Sequence, residues 1–98
     1  MKELSVLGID LAKSVFHVVG MNCSGKVLLS KRVYRSDLLR FVSELGNNVL
    51  IAMESCASSS YWGREFQKLG NDVRLIAPQF LKGIMGLRSG FTVQEALR

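Results

Sequence analysis

The 98-residue sequence is poor in the features that mark secreted, membrane-spanning or metal-thiolate proteins. It has two cysteines, Cys23 and Cys56, and no Cys-x-x-Cys pair that would favour a zinc or redox site. Its longest apolar runs, such as residues 49–53, fall far short of the ~20 residues that a membrane-spanning helix needs. Charges at Glu3 and Asp10 interrupt any signal-peptide core. We therefore expect reduced thiols, no membrane contact and a cytoplasmic location.

The sequence does contain enough apolar residues for one compact core, with 48% hydrophobic and 21% charged residues. A chain of this length buries roughly 60–70% of the surface that it exposes when unfolded, so we expect a single domain. Thirteen Lys and Arg against eight Asp and Glu give a net charge of +5, which favours polyanionic partners. The alternative is an ordinary solvated surface. The positive charge is densest at Lys26, Lys31, Arg32, Arg35 and Arg40.

Three strand-like segments open the chain. Residues 4–11 form an apolar run in which Asp10 is the only charge, and residues 15–21 are rich in β-branched and aromatic side chains. Residues 22–25, Asn-Cys-Ser-Gly, have turn chemistry and predict a hairpin with residues 26–34. The mixed polar and apolar pattern of this third segment is typical of a partly solvated edge strand.

Two helices and two further strands follow. Ser36 is predicted to cap a helix that ends at Gly46, and residues 49–53 predict a strand buried on both faces that ends at Glu54. The serines at 58–60 are predicted to start a second helix, with Trp62, Phe66 and Leu69 on one face and its end at Gly70, before a strand at 73–76. The predicted order is βββαβαβ, an α/β fold, followed by a weak, glycine-rich helix.

Two carboxylates lie where apolar strands end, Asp10 in the first strand and Glu54 in the fourth. Ligand sites of α/β sheets lie at the carboxyl ends of strands. If the two strands are parallel neighbours, the carboxylates face the same space and either share a proton or hold a cation. Hard oxygen ligands suit Mg²⁺ or Mn²⁺. The alternative is that each carboxylate caps the turn that follows it.

The other reactive residue types have simpler interpretations. Ser55, Cys56 and Ser58 follow Glu54, but no base is identifiable beside them, so we expect them to start a helix. His17 is the only histidine and is interpreted as a structural residue of the hairpin. The aromatic residues Tyr61, Trp62 and Phe66 are expected in the core or on a helix surface, with stacking on a nucleic-acid base as the alternative.

The segments GIDLAKSVFHVVGMN and AMESCASSSYWGREFQKLGNDVRLIAPQFLK resemble the amino-terminal, RuvC-like domain of bacterial insertion-sequence transposases of the DEDD type. The resemblance covers roughly residues 4–82. It implies an RNase H-like (RuvC-like) fold with a mixed five-stranded sheet, and it implies DNA transposition with Mg²⁺ or Mn²⁺. It makes Asp10 and Glu54 the first two catalytic, metal-binding acids. Candidate DNA contacts are Lys13, Lys31, Arg32, Arg35 and Arg40.

The resemblance ends after Lys82. Family members continue there with an Asp-x-x-Asp-like pair and a serine-bearing domain, whereas this sequence has no aspartate after Asp72 and only Glu95 as a late acid. We expect residues 1–82 to form the RNase H-like domain and residues 83–98 a divergent tail. The expectation is a truncated, catalytically incomplete chain, without the strand exchange and guide-RNA-dependent targeting that the full-length family implies.

Two other functions compete with this interpretation. The segment GIDLAKS also resembles the GID-x-G-T phosphate loop of sugar kinases, actin and heat-shock ATPases, but Ala12 and Lys13 replace its glycine and hydroxyl residue. The second alternative is a non-enzymatic interaction module, a homodimer in which the tail at 83–98 covers apolar surface.

Overall fold

The computed structural model describes residues 4–11, 14–54 and 59–76. Its secondary structure follows the predicted order βββαβαβ, with one short 3₁₀ helix at Arg35–Asp37. The elements are β1 (Val6–Asp10), β2 (Val15–Met21), β3 (Val27–Tyr34), α1 (Leu38–Leu45), β4 (Leu50–Glu54), α2 (Ser59–Lys68) and β5 (Val73–Ile76). The predicted helix beyond Pro78 and the tail at 83–98 lie outside the described residues.

The five strands form one mixed sheet in the order β3-β2-β1-β4-β5. β1, β2 and β3 are antiparallel neighbours, whereas β1 pairs with β4, and β4 with β5, in parallel. The prediction that the first and fourth strands are parallel neighbours is confirmed. A mixed sheet of this kind is expected where a hairpin meander is followed by helical crossovers.

The turn between β2 and β3 is held by one side chain. Asn22 Oδ1 accepts hydrogen bonds from the backbone N–H groups of Ser24 (3.0 Å) and Lys26 (2.9 Å). Gly25 has φ 85°, a conformation that glycine adopts without steric cost. The turn residues therefore fix where the hairpin reverses, as the sequence predicts.

The start of α1 differs from the prediction that Ser36 caps it. Ser36 lies inside the 3₁₀ helix, and the residue that precedes α1 is Asp37, whose side chain makes no capping hydrogen bond. Asp37 Oδ1 instead accepts a hydrogen bond from Arg40 Nη2 at 3.1 Å. The predicted end of the helix is confirmed, since Gly46 follows the last helical residue with φ 94°.

The main core lies between the sheet and both helices. Alternate residues of β1 and β4, Leu7 and Ile9 with Ile51 and Met53, belong to the same buried cluster as residues of the two helices. The helical members are Leu38 and Val42 from α1 and Trp62 and Phe66 from α2. Because all of these contacts lie on one side of the sheet, α1 and α2 cover the same face.

The other face of the sheet is also buried in its middle. Val6, Val19, Met21 and Ala52 occupy the alternate positions and are at most 3% exposed. The prediction that the fourth strand is buried on both faces is therefore confirmed. The prediction that Leu69 shares one face of the second helix with Trp62 and Phe66 is wrong, because α2 ends at Lys68 and Leu69 is 36% exposed. Neither helix in the described part of the chain has the length and apolar composition to cross a membrane.

Candidate functional site

Asp10 and Glu54 lie next to each other at the carboxyl ends of β1 and β4. The last registered pair of these two parallel strands is Ile9 with Met53, and each acid is the next residue of its strand. Ile9 and Met53 point into the helix-covered core, so the acids project from the opposite face. Asp10 is exposed and Glu54 is partly buried. The predicted proximity of the two carboxylates follows from this register.

A histidine and an arginine lie on the same face of the sheet as the two acids, on the neighbouring strands β2 and β3. Asp10 is in register with His17 on β2, and His17 is in register with Arg32 on β3. These three residues and Val15 line a shallow cavity of about 210 Å³. His17 Nε2 and Ser30 Oγ are 3.1 Å apart, so the histidine also has the structural contact within the hairpin that its sequence position suggests.

Charge at this edge of the sheet is unevenly distributed. Neighbouring strands lie ~5 Å apart, and two carboxylates that approach each other to this distance would repel by about 1–3 kcal/mol, depending on exposure to solvent. Arg32 lies on the same face, two strands from Asp10, and forms no ion pair with it. A cation between Asp10 and Glu54 would relieve the repulsion.

The donor set fits a hard divalent cation. Mg²⁺ commonly keeps several waters and is bound through one or two carboxylates together with substrate phosphates. Asp10 and Glu54 supply two such carboxylates on adjacent strands. In residues 4–11, 14–54 and 59–76, no three His, Cys, Asp or Glu side chains come together as a metal-binding group. Ser55, Cys56 and Ser58, which follow Glu54, lie outside these ranges.

The predicted DNA-contacting residues are divided by the fold. Lys31 and Arg32 are consecutive in β3 and therefore point to opposite faces. Lys31 Nζ lies 4.7 Å from the ring centroid of Phe41, on the helix side. Arg40 is paired with two acids, Asp37 at 3.1 Å and Glu44 at 3.8 Å.

Arg35 occupies a different position from the other basic residues. Its guanidinium carbon lies 5.4 Å from the ring centroid of Trp62, beside an open groove at the end of β3. Lys13 lies outside the described residues. The basic stretch is therefore not one surface: of the described residues, only Arg32 shares the cavity with Asp10.

The aromatic residues of α2 divide between core and surface. Trp62 is 3% exposed and Phe66 is fully buried, which confirms the core interpretation for both. Tyr61 is 45% exposed and lines the groove beside Arg35. The alternation of exposed Tyr61 with buried Trp62 could be predicted from helical spacing, because adjacent helical residues lie about 100° apart around the axis.

Sequence comparison finds curated relatives over most of this chain. It is 46% identical over 80 residues to a probable family 20 transposase of Pseudomonas aeruginosa, an alignment that spans 82% of the chain and 23% of the relative. It is 37% identical over 82 residues to the transposase for insertion sequence element IS1111A of Coxiella burnetii, spanning 84% of the chain and 22% of the relative. It is 38% identical over 82 residues to the transposase for insertion sequence element IS1328 of Yersinia enterocolitica, spanning 84% of the chain and 24% of the relative.

The chain thus spans about a quarter of the length of these relatives. No protein-family profile matches it. No solved structure matches it either.

Proposed function

This chain is a homologue of insertion-sequence transposases, and on that premise we propose that it supplies two acidic ligands of a divalent-metal site for phosphodiester chemistry on DNA. The observation that carries the proposal is the register of β1 with β4, which aligns Asp10 with Glu54 at the carboxyl ends of adjacent parallel strands. Turn-capping carboxylates would not need this alignment.

The sheet topology supports an RNase H-like assignment of the fold. A meander of three antiparallel strands is joined through a helix to a fourth strand that pairs in parallel with the first. This arrangement makes β1 the central strand and places its carboxyl end beside that of β4. It is also the arrangement that the motif around Asp10 implies in the transposase family.

In this proposal, the carboxylate oxygens of Asp10 and Glu54 hold Mg²⁺ or Mn²⁺. When bound, such an ion polarises a phosphodiester and lowers the pKa of water that attacks it. Arg32 lies on the same face of the sheet and offers planar N–H donors that match phosphate oxygens. The roles of this chain are therefore to hold the cation and to orient the DNA backbone beside it.

We expect the pair alone to support little catalysis. Phosphoryl transfer by two ions needs carboxylates that hold both ions in place, and two carboxylates are too few to fix two ions with their waters. In the described residues no third acid joins Asp10 and Glu54. Mg²⁺-dependent cleavage of DNA by this chain should therefore be weak or absent. If this chain cleaves DNA robustly and Asp10→Asn abolishes the cleavage, the expectation that the chain is catalytically incomplete is wrong.

Metal binding tests the proposal directly. Mn²⁺ would be titrated into the wild-type chain and into Asp10→Asn, Glu54→Gln and Asp72→Asn, with the electron paramagnetic resonance signal of free Mn²⁺ as the readout. Asp72 is the matched control because it is exposed and precedes β5, at the opposite end of the sheet. Loss of one of two anionic ligands should weaken binding on the order of tenfold or more at Asp10 and Glu54, but not at Asp72. Equal binding by all four proteins would contradict the proposal.

DNA binding provides a second test, through arginines in different surroundings. Arg32→Gln should weaken binding to a DNA duplex and reduce the salt dependence of log Kd by about one unit, as expected for a lost phosphate contact. Arg40→Gln should have a smaller effect, because Asp37 and Glu44 already neutralise this arginine. Fluorescence anisotropy at several salt concentrations would measure both. A larger loss with Arg40→Gln would place the DNA on the helix side of the sheet instead.

A further inference from the structure

An open groove of about 510 Å³ lies beside the end of β3, within the size range of small-ligand sites. The residues that form it come from three separate segments of the chain. Ser14 precedes β2, Tyr34 and Arg35 end β3 and begin the 3₁₀ helix, and Tyr61 and Trp62 come from the first turn of α2. None of these residues takes part in the proposed metal site.

Two tyrosines give the groove exposed aromatic surface. Tyr34 is 65% exposed and Tyr61 is 45% exposed, which makes them the most exposed large hydrophobic residues in the described ranges apart from Leu75. Tyr61 packs edge-on against Trp62, with ring centroids 5.1 Å apart. Trp62 in turn stacks on Phe66 at 5.8 Å and contacts Phe16 edge-on at 5.4 Å. Tyr61 is therefore supported by the buried core while its own ring remains accessible.

Arg35 adds positive charge to this aromatic surface. Its backbone N–H donates a hydrogen bond to the carbonyl of Ser14 at 2.7 Å, which ties the 3₁₀ helix to the start of β2. Its guanidinium lies over Trp62, and no carboxylate among the described residues pairs with it. An arginine that is fixed in place but lacks an acidic partner can bind a phosphate.

The groove lies at the same end of the sheet as the acidic pair. Asp10 ends β1, and the antiparallel register places Val15, at the start of β2, and Tyr34, at the end of β3, at this end as well. β4 ends there with Glu54, and α2 is the next element along the chain. A nucleic-acid strand that follows this edge would pass both sites.

We propose that this groove binds an unpaired base of single-stranded DNA. Tyr34 and Tyr61 stack on bases, and Arg35 holds an adjacent phosphate. Aromatic rings bind bases of any sequence through their faces, but only where the base has left the duplex stack. The charge of Arg35 and the net charge of +5 favour a polyanionic strand over a neutral apolar ligand. This site goes beyond the proposed metal function and does not depend on a metal ion.

The test is binding of a fluorescein-labelled 12-nucleotide oligothymidylate in EDTA, followed by fluorescence anisotropy. A duplex and an oligouridylate of the same length are the comparison ligands. Tyr61→Ala and Tyr34→Ala should each raise the Kd for oligothymidylate roughly 5- to 150-fold, the loss expected when a stacked aromatic ring is removed. Tyr61→Phe should bind like the wild type, because the ring remains. Arg64→Gln is the charge-matched control for Arg35→Gln, since Arg64 is exposed on α2 but does not line this groove.

The proposal requires tighter binding of oligothymidylate than of duplex, and a larger loss with Arg35→Gln than with Arg64→Gln. Equal affinity for duplex and single strand, or wild-type binding by Tyr61→Ala, would overturn it. Tighter binding of oligouridylate would overturn the assignment to DNA. Circular dichroism of each variant establishes that a loss is not a folding defect. Because EDTA removes divalent ions, failure here is distinguishable from failure of the proposed metal site, which Asp10→Asn tests separately.

Discussion

Asn71 provides the sharpest test of how the site-bearing strands are held in place. It is 4% exposed and lies between α2 and β5. Its Nδ2 group donates hydrogen bonds to two carbonyls of the turn between α1 and β4, Gly46 at 3.0 Å and Val49 at 2.8 Å. The side chain therefore joins two turns at the amino ends of β4 and β5. Asn71→Ala removes both bonds at once.

The expected loss can be worked out from these contacts. Two hydrogen bonds contribute about 0.5–1.5 kcal/mol each, and a buried carbonyl left without a donor costs about 1–3 kcal/mol more. The bond to Val49 is buried, whereas the bond to Gly46 is only partly buried and water can replace it. Asn71 Oδ1 is itself buried without a partner in the described structure, so its removal recovers part of the loss. We expect a net decrease of about 2–3 kcal/mol in the free energy of unfolding.

Urea denaturation measures this decrease, with the fluorescence of the single tryptophan, Trp62, as the probe. Its ring is 3% exposed, so unfolding transfers it from the core to water. With a urea m-value of about 1–3 kcal/mol per M, the midpoint of Asn71→Ala should fall by about 1–3 M. The control is Asn48→Ala, an exposed asparagine of the neighbouring turn, which should change stability by less than about 0.5 kcal/mol. A midpoint for Asn71→Ala that matches this control would refute the reasoning.

Three glycine substitutions test packing and backbone conformation by the same urea assay. Gly20→Ala places a Cβ 2.5 Å from Leu4 Cδ1 in the buried sheet, and we expect a loss of about 1–3 kcal/mol through displacement of that side chain. Gly46→Ala and Gly70→Ala both impose φ +94° on a residue with a side chain, at a cost of about 1–3 kcal/mol. The two losses differ in origin: Gly46 combines φ 94° with ψ 169°, a region that only glycine readily occupies, whereas a Cβ at Gly70 would also lie 3.3 Å from Asn47 Cβ. A loss below about 0.5 kcal/mol at either position would contradict this expectation.

Much of the fold could be predicted because the signals are local. The turn residues at 22–25 fix the hairpin, and Asn22 and Gly25 have the roles that their types suggest. Gly46 and Gly70 both adopt φ 94°, which explains why they end helical segments. Residues 50–54 form an interior strand between β1 and β5, as the uninterrupted apolar run at 49–53 suggests.

The structure differs from the sequence prediction at the start of α1 and at the end of α2, and both differences have specific causes. Ser36 has a capping side chain, but the chain enters α1 through a 3₁₀ turn, so the residue before the helix is Asp37. Leu69 fits the helical period of Trp62 and Phe66, but α2 ends one residue before it. Helix boundaries depend on the turn that follows, and periodicity alone does not determine them.

The candidate site depends on register, which composition cannot show. Lys31 and Arg32 are equally basic and adjacent, yet the pleat places Lys31 against Phe41 and Arg32 beside Asp10 and His17. Counting charges along the chain therefore overstates the basic surface. Counting positions back from the hairpin turn would pair His17 with Lys31, because the register shift between Gly20 and Met21 adds one residue on β3 that the sequence does not announce.

The same register connects the acidic pair to the aromatic groove. Pairing of Asp10 with His17, and of Val15 with Tyr34, brings the ends of three strands to one edge of the sheet. A slip of one residue in the β2–β3 hairpin would move Arg32 to the helix-covered face and Lys31 into its place. The turn held by Asn22 and the register shift between Gly20 and Met21 both lie toward the opposite end of the hairpin, yet together they decide which basic side chain shares the face of Asp10. The functions proposed for this end of the sheet should therefore be sensitive to the length of the hairpin turn at the opposite end of the sheet.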